Sequence, residues 1–173
     1  SQTTVVCLLI KIRQCGCAAI ESIEERIKMK DLVAPECNVT QRKLPLDNFF
    51  QPKSVAVIGA TDKAGSVGRA VIENLTSSSF GGEVYAINPK RPSVLGMKCY
   101  PNLAAIGGKV DLAVIVTPAP AVPAVVKECA DSGIEAAIII SAGFKEIGPA
   151  GSALEQEVLK ARGKMRIIGP NCL

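Results

Sequence analysis

The chain predicts an α/β fold: a Rossmann-like, doubly wound parallel sheet of about five strands with an N-terminal helical or extended appendage. Three observations carry that expectation. Short aliphatic runs alternate with amphipathic segments long enough to be crossover helices. Several runs lack the in–out alternation of half-exposed strands, as expected where both faces of a sheet are covered. The first run, Ser54-Val55-Ala56-Val57-Ile58, turns through Gly59 and the glycines that follow straight into a helix.

Taken in order, residues 1–45 differ in character from the rest. Thr3 to Ile12 reads as a strand or the start of a buried helix. Ala18 to Lys30 places Ile20, Ile23 and Ile27 on one helical face, against the core or a partner helix. Ala34 to Pro45 has no periodicity and reads as a linker. The domain proper is read as residues 46–173. Its expected strands are Ser54–Ile58, Glu83–Ile87, Asp111–Val116, Ala136–Ile140 and Arg166–Ile168. Helices are expected at Ser66–Ser77, Pro120–Ser132 and Gly151–Arg162, with a shorter piece near Asn102–Ile106. Strands joined by helices of this length form right-handed crossovers in a parallel sheet.

Composition narrows the function. At 173 residues with 48% apolar and 21% charged, the chain holds one domain with a sizeable core. Aromatics make up 3% and Trp is absent, so the core is aliphatic. A net charge of +4, with no cationic run interleaved with aromatics, argues against a nucleic-acid surface. Histidine is absent, which removes imidazole as base, phosphate carrier or metal ligand. Seven cysteines without a CxxC pair argue against zinc and for free thiols in a reducing cytoplasm. Thr4 to Ile10 is too short to span a bilayer, and Lys11 and Arg13 follow it, so neither a membrane span nor a targeting segment is read. No residue is read as catalytic, Cys172 included, because no base or cation is placed beside it.

In doubly wound sheets, ligands bind outside the carboxyl ends of the strands. Those ends carry Gly59-Ala60-Thr61-Asp62-Lys63, Asn88-Pro89-Lys90-Arg91, Thr117-Pro118-Ala119-Pro120, Ser141-Ala142-Gly143-Phe144 and Gly169-Pro170-Asn171-Cys172. The first opens a helix, whose free N–H groups bind phosphate, with Thr61, Lys63 and Ser66 as further donors. Its glycines, Gly59, Gly65 and Gly68, are spaced more widely than G-x-G-x-x-G, and Thr61 stands where that fingerprint has its second glycine. A purely structural role for the glycines is the alternative. After the second strand the acid that binds the ribose of NAD is missing, and Lys90 and Arg91 follow. That suits a ribose bearing phosphate: NADP in an oxidoreductase or redox sensor, or coenzyme A with its 3′-phosphate.

From Leu46 to Leu173 the sequence resembles the coenzyme A-binding domain of nucleoside-diphosphate-forming acyl-CoA synthetases, relatives of the succinyl-CoA synthetase α subunit. The match is nearest to the acetate-type, ADP-forming enzymes. It is carried by Phe50 to Ala60, Gly65-Ser66-Val67-Gly68, Ile87-Asn88-Pro89-Lys90, Val110 to Ile115, Ile140 to Phe144 and Ile168 to Leu173. The resemblance implies that Gly59, Ala60, Thr61, Lys63, Ser66 and Val67 hold the coenzyme's phosphates and neighbouring pantetheine. Pro89 and Lys90 would meet its adenosine end. Thr117, Pro118, Ser141 and Ala142 would line the groove, with Asn171 and Cys172 near the thioester end. It also implies partners: a phosphohistidine domain and an ATP-grasp domain or subunit. The chain lacks that histidine and reaches only Leu173, so it is expected to bind coenzyme A without completing the ligase reaction. A last strand lacking its covering domain implies exposed apolar surface and self-association.

Overall fold

The computed structural model describes Leu44 and residues 46–78 and 80–172. The readings of Thr3 to Ile12 and Ala18 to Lys30 lie outside those residues. The described chain runs α1 (Asp47–Phe50), β1 (Ser54–Ile58), α2 (Val67–Ser77), β2 (Glu83–Ile87), β3 (Ser93–Val94), β4 (Met97–Tyr100), β5 (Leu112–Ile115), α3 (Val122–Asp131), β6 (Ala136–Ile139), α4 (Pro149–Ala161) and β7 (Arg166–Ile168).

The strands form one sheet in the order β3-β4-β2-β1-β5-β6-β7. Every neighbouring pair is parallel except β3 with β4. Every residue of β1, β5 and β6 is buried, which is why these runs are continuously aliphatic. The pleat sends alternate residues to opposite faces. Ala56, Ile58, Ala113, Ile115, Ala137 and Ile139 face one core, shared with Val122 and Val126 of α3 and Val158 of α4. Val55, Val57, Leu112, Val114, Ala136 and Ile138 face the other, shared with Val71, Ile72 and Leu75 of α2 and with Phe49 of α1. The apolar residues that α2 and α3 bury recur at three- and four-residue steps, so each helix lays one stripe on the sheet.

Seven strands replace the five expected. The two additions are the β3–β4 hairpin, which the sequence hides for a physical reason. β3 has two residues, and Met97-Lys98-Cys99-Tyr100 carries no branched aliphatic. Its strand character comes from pairing Cys99 and Tyr100 alongside Ala86 and Ile87 of β2. Other differences are local. Proline shifts helix starts: α3 is preceded by a 3-10 turn at Ala119–Ala121, and α4 begins at Pro149. The piece near Asn102 is a 3-10 turn at Ala104–Ile106, and one-turn α1 was not anticipated. No described helix is long and apolar enough to cross a membrane.

Two turns are tuned by single side chains. Val94 pairs with Met97, so Leu95-Gly96 is a two-residue hairpin loop with φ of 50° and 78°. Such a turn needs left-handed backbone at both positions, where leucine is strained. Beyond β6, a 3-10 turn at Lys145–Ile147 leads to α4. The Glu146 carboxylate accepts the Gly143 N–H at 2.6 Å. That bond, with those from its own and the Phe144 N–H, holds Glu146 below the usual carboxylate range.

Two expectations follow from these turns. Replacing the 38%-exposed Leu95 by Asn removes left-handed strain without loss of core, and should stabilise the fold by about 0.5–1 kcal/mol in urea unfolding. Because the native pKa of Glu146 is depressed, its stabilisation is present above the unfolded carboxyl pKa and is lost as pH falls through the native value. The stability advantage of wild type over Glu146→Gln should therefore be present at neutral pH and vanish in acid, which urea midpoints across a pH series would measure.

Candidate functional site

β1 lies between β2 and β5, so the chain leaves it on both sides and the strand order reverses there. This is where a doubly wound sheet opens a crevice at its carboxyl edge. Gly59 ends β1 with φ 94°, and its N–H and that of Ala60 both reach the Ile87 carbonyl, at 3.0 and 3.2 Å. A Cβ on Gly59 would stand 3.1 Å from the Thr117 nitrogen, and one on Gly68 would stand 2.7 Å from the Gly59 carbonyl oxygen. The two glycines therefore let the first turn of α2 and the β5 loop close directly on the strand end.

The loop between them orders itself. Thr61 Oγ1 accepts the Lys63 N–H at 3.2 Å. Ser66 Oγ donates to the Lys63 carbonyl at 2.6 Å and accepts the Arg69 N–H at 3.4 Å, making Ser66 the N-cap of α2 and not its first residue. Lys63 and Val67 are exposed at the mouth.

Asn88 is the residue that sequence reasoning undervalued, having noted only that it is not acidic. Its Nδ2 donates to the Ala60 carbonyl at 2.8 Å, while its Oδ1 accepts the Lys90 N–H at 2.9 Å. One side chain thus joins the β1 loop to the β2 loop and presents Pro89 and Lys90 at the edge. Asn before Pro at a strand end is a turn signal that points to such a role. A second link is the ion pair of Arg91 with Asp62. Arg69 adds a third contact, donating to the Asp62 carbonyl at 3.0 Å.

On the other side of β1, Ser141 Oγ donates to the Thr117 carbonyl at 2.5 Å, and the Ser141 carbonyl accepts the Asn171 N–H at 3.0 Å. Gly169–Pro170 is cis, and Cys172 N–H reaches the Ile139 carbonyl at 3.3 Å. Lys90, Pro89, Ala60, Gly59, Thr117, Ser141 and Asn171 thus fall along one continuous edge. Pro118 and Ala142 are exposed on it. Thr117 Oγ1 is buried without a hydrogen-bond partner, an unspent polar atom within this edge.

Lys63, Lys90 and Arg91 lie along this edge. Burial pushes the Cys129 thiol up to about 12 and raises that of Cys99. No cluster suited to a metal occurs among the described residues. A cleft of about 740 Å³ lies instead at the amino ends of the strands, lined by Asp47, Asn48, Lys53, Ser54 and Asp111 among others. Several of its polar groups are engaged: Asp111 accepts the Lys53 N–H at 2.9 Å, Ser54 donates to the Lys109 carbonyl at 3.0 Å, and Asn48 donates to Glu135 at 2.8 Å. The carboxyl edge is the better ligand site.

Comparison with known proteins bears on what that edge holds. Residues 53–173 match the family described as the CoA binding domain. The ADP-forming acetate–CoA ligase I of Archaeoglobus fulgidus is 47% identical over 130 residues, which is 74% of this chain and 19% of that protein. The α subunit of the ADP-forming acetate–CoA ligase II of Pyrococcus furiosus is 42% identical over 130 residues, 74% of this chain and 28% of the subunit. Among solved structures, the apo dinucleotide-forming acetyl-coenzyme A synthetase 1 of Ca. Korarchaeum cryptofilum superposes with a TM-score of 0.68 at 38% identity, covering 73% of this chain and 28% of that one. The chain therefore spans less than a third of each of these relatives. The nicotinamide alternative gains no support from them. The matched segment begins one residue before β1 and takes in the whole edge just described, and on that match the chain belongs to the CoA binding domain family.

Proposed function

We propose that this chain is the coenzyme A-holding domain of an ADP-forming, acetate-type acyl-CoA ligase, with the coenzyme lying along the carboxyl edge of the sheet. Residues 46–173 form the binding domain and residues 1–45 an appendage to it. One observation carries the placement: cations at the end of β2, with no carboxylate on that strand end, stand beside a glycine-tightened helix start. Bound coenzyme A supplies the thiol that carries the acyl group. Everything else asked of this chain is binding and orientation.

In this reading Gly59, Ala60, Thr61, Lys63, Ser66 and Val67 receive the phosphates and the start of the pantetheine arm, where helix N-terminal N–H groups and Lys63 favour anions. Pro89 and Lys90 meet the adenosine end. Thr117, Pro118, Ser141 and Ala142 line the path of the arm, and the unpartnered Thr117 hydroxyl is available to one of its amides. Asn171 stands at the far end. No described side chain supplies an imidazole base or phosphate carrier, so phosphoryl transfer falls to a phosphohistidine domain, and nucleotide chemistry to an ATP-grasp domain or subunit. Exposed Ile147 and Leu159 offer apolar surface to such partners or to a second copy. The setting is the cytoplasm.

Calorimetric titration of the chain with coenzyme A, dephospho-coenzyme A and NADP tests this reading. Coenzyme A should bind tightest, and Lys90→Ala should weaken it about fivefold while leaving dephospho-coenzyme A nearly unchanged, as for an exposed charge-assisted contact. Preference for NADP, or equal binding of both coenzyme forms, would overturn the assignment. Gly68→Ala places a methyl against the Gly59 carbonyl and should cost about 1–3 kcal/mol in unfolding together with most of the coenzyme affinity.

A further inference from the structure

We propose that Asp62 tempers coenzyme affinity: through its ion pair with Arg91 it competes with a phosphate on the ribose for that cation. The inference rests on the coenzyme reading above and adds a residue outside the set that reading uses.

Asp62 sits between Thr61 and Lys63 in the β1 loop, and Arg91 follows Lys90 in the β2 loop. Their side chains meet across the mouth of the edge. Both are reached by water, Arg91 at 39% and Asp62 at 48% exposure, so the pair is weak in itself and separable. Opening it leaves the loops in place. Asn88 still ties Ala60 to the β2 turn, and Arg69 still holds the Asp62 main-chain carbonyl. Arg69 itself is engaged elsewhere, its Nε paired with Glu73 at 2.7 Å. Release of Arg91 is therefore an exchange of ionic partners and not a rearrangement of the site.

A carboxylate carries one negative charge, whereas a phosphate monoester carries nearly two and offers a planar guanidinium two oxygens at once. A 3′-phosphorylated adenosine end can therefore compete with Asp62 for Arg91. An adenosine end without that phosphate cannot, and it meets an arginine already neutralised. Asp62 thus lowers the affinity for a ribose phosphate at this position and leaves a ligand without one nearly unaffected.

The test is calorimetric titration of wild type, Asp62→Asn, Arg91→Gln and the double variant with coenzyme A and with dephospho-coenzyme A. Asp62→Asn should tighten coenzyme A two- to fivefold, roughly the range of an exposed ion pair, and should change dephospho-coenzyme A less. The gain should disappear in the Arg91→Gln background, since the two residues act as a unit. If Asp62 only orders the loop, Asp62→Asn will weaken both ligands alike, and that overturns the proposal. A gain that persists without Arg91 also overturns it. Failure of wild type to bind coenzyme A at all would overturn the coenzyme reading and this inference with it, whereas normal coenzyme binding left unchanged by Asp62→Asn would overturn this inference alone.

Discussion

The contact on which the site depends is the approach of α2 to the end of β1. Gly68 rests against the Gly59 carbonyl at a separation a Cβ does not tolerate, and Gly59 lies close against the backbone of Val116 and Thr117 in a left-handed conformation. This fixes the direction of α2, and so where its free N–H groups point. It also brings the β5 loop within reach of the β1 loop. Ser141 then hangs on Thr117, and Asn171 on Ser141, through single hydrogen bonds.

The opposite half of the edge is held by polar groups. Asn88 uses both ends of its amide to join two loops, while the Arg91–Asp62 pair and the Arg69 contact close over them. A neutral amide suits the strand end for this work. It donates to a carbonyl and accepts from an N–H, which an ionised carboxylate, being an acceptor only, cannot do. The missing acid of the β2 end is thus a positive feature of the design. It ties the loops while leaving Lys90 uncompensated at a position suited to phosphate.

The sheet itself is insulated from these demands. Its central strands are buried on both faces and packed by aliphatic residues, which supply stability without chemistry. The proposed site is confined to the loops at one edge, while at the amino edge Asp111 and Ser54 bond the backbone of Lys53 and Lys109. Such a division lets the loops carry strained glycines and exposed charges at little risk to the core.

Several features were legible in the amino-acid order alone. The aliphatic runs of β1, β5 and β6 name their strands because full burial demands such residues whatever the neighbours are. The glycines and small polar residues at strand ends mark the carboxyl-edge turns because turns impose their own residue requirements. What remained hidden depends on contacts distant in sequence. The β3–β4 hairpin has no internal hydrophobic pattern and exists as strand only because β2 offers it an edge. Ser66 reads as a free donor until its neighbours claim it as a cap. Asn88 reads as an absence until Ala60, 28 residues away, supplies the carbonyl it binds. Local sequence thus determined the elements and the residues gathered at the carboxyl edge, through burial and turn chemistry. Tertiary structure alone decided which polar groups are engaged with one another and which are left for a ligand, because hydrogen bonds and ion pairs are settled by geometry between loops that the sequence keeps apart.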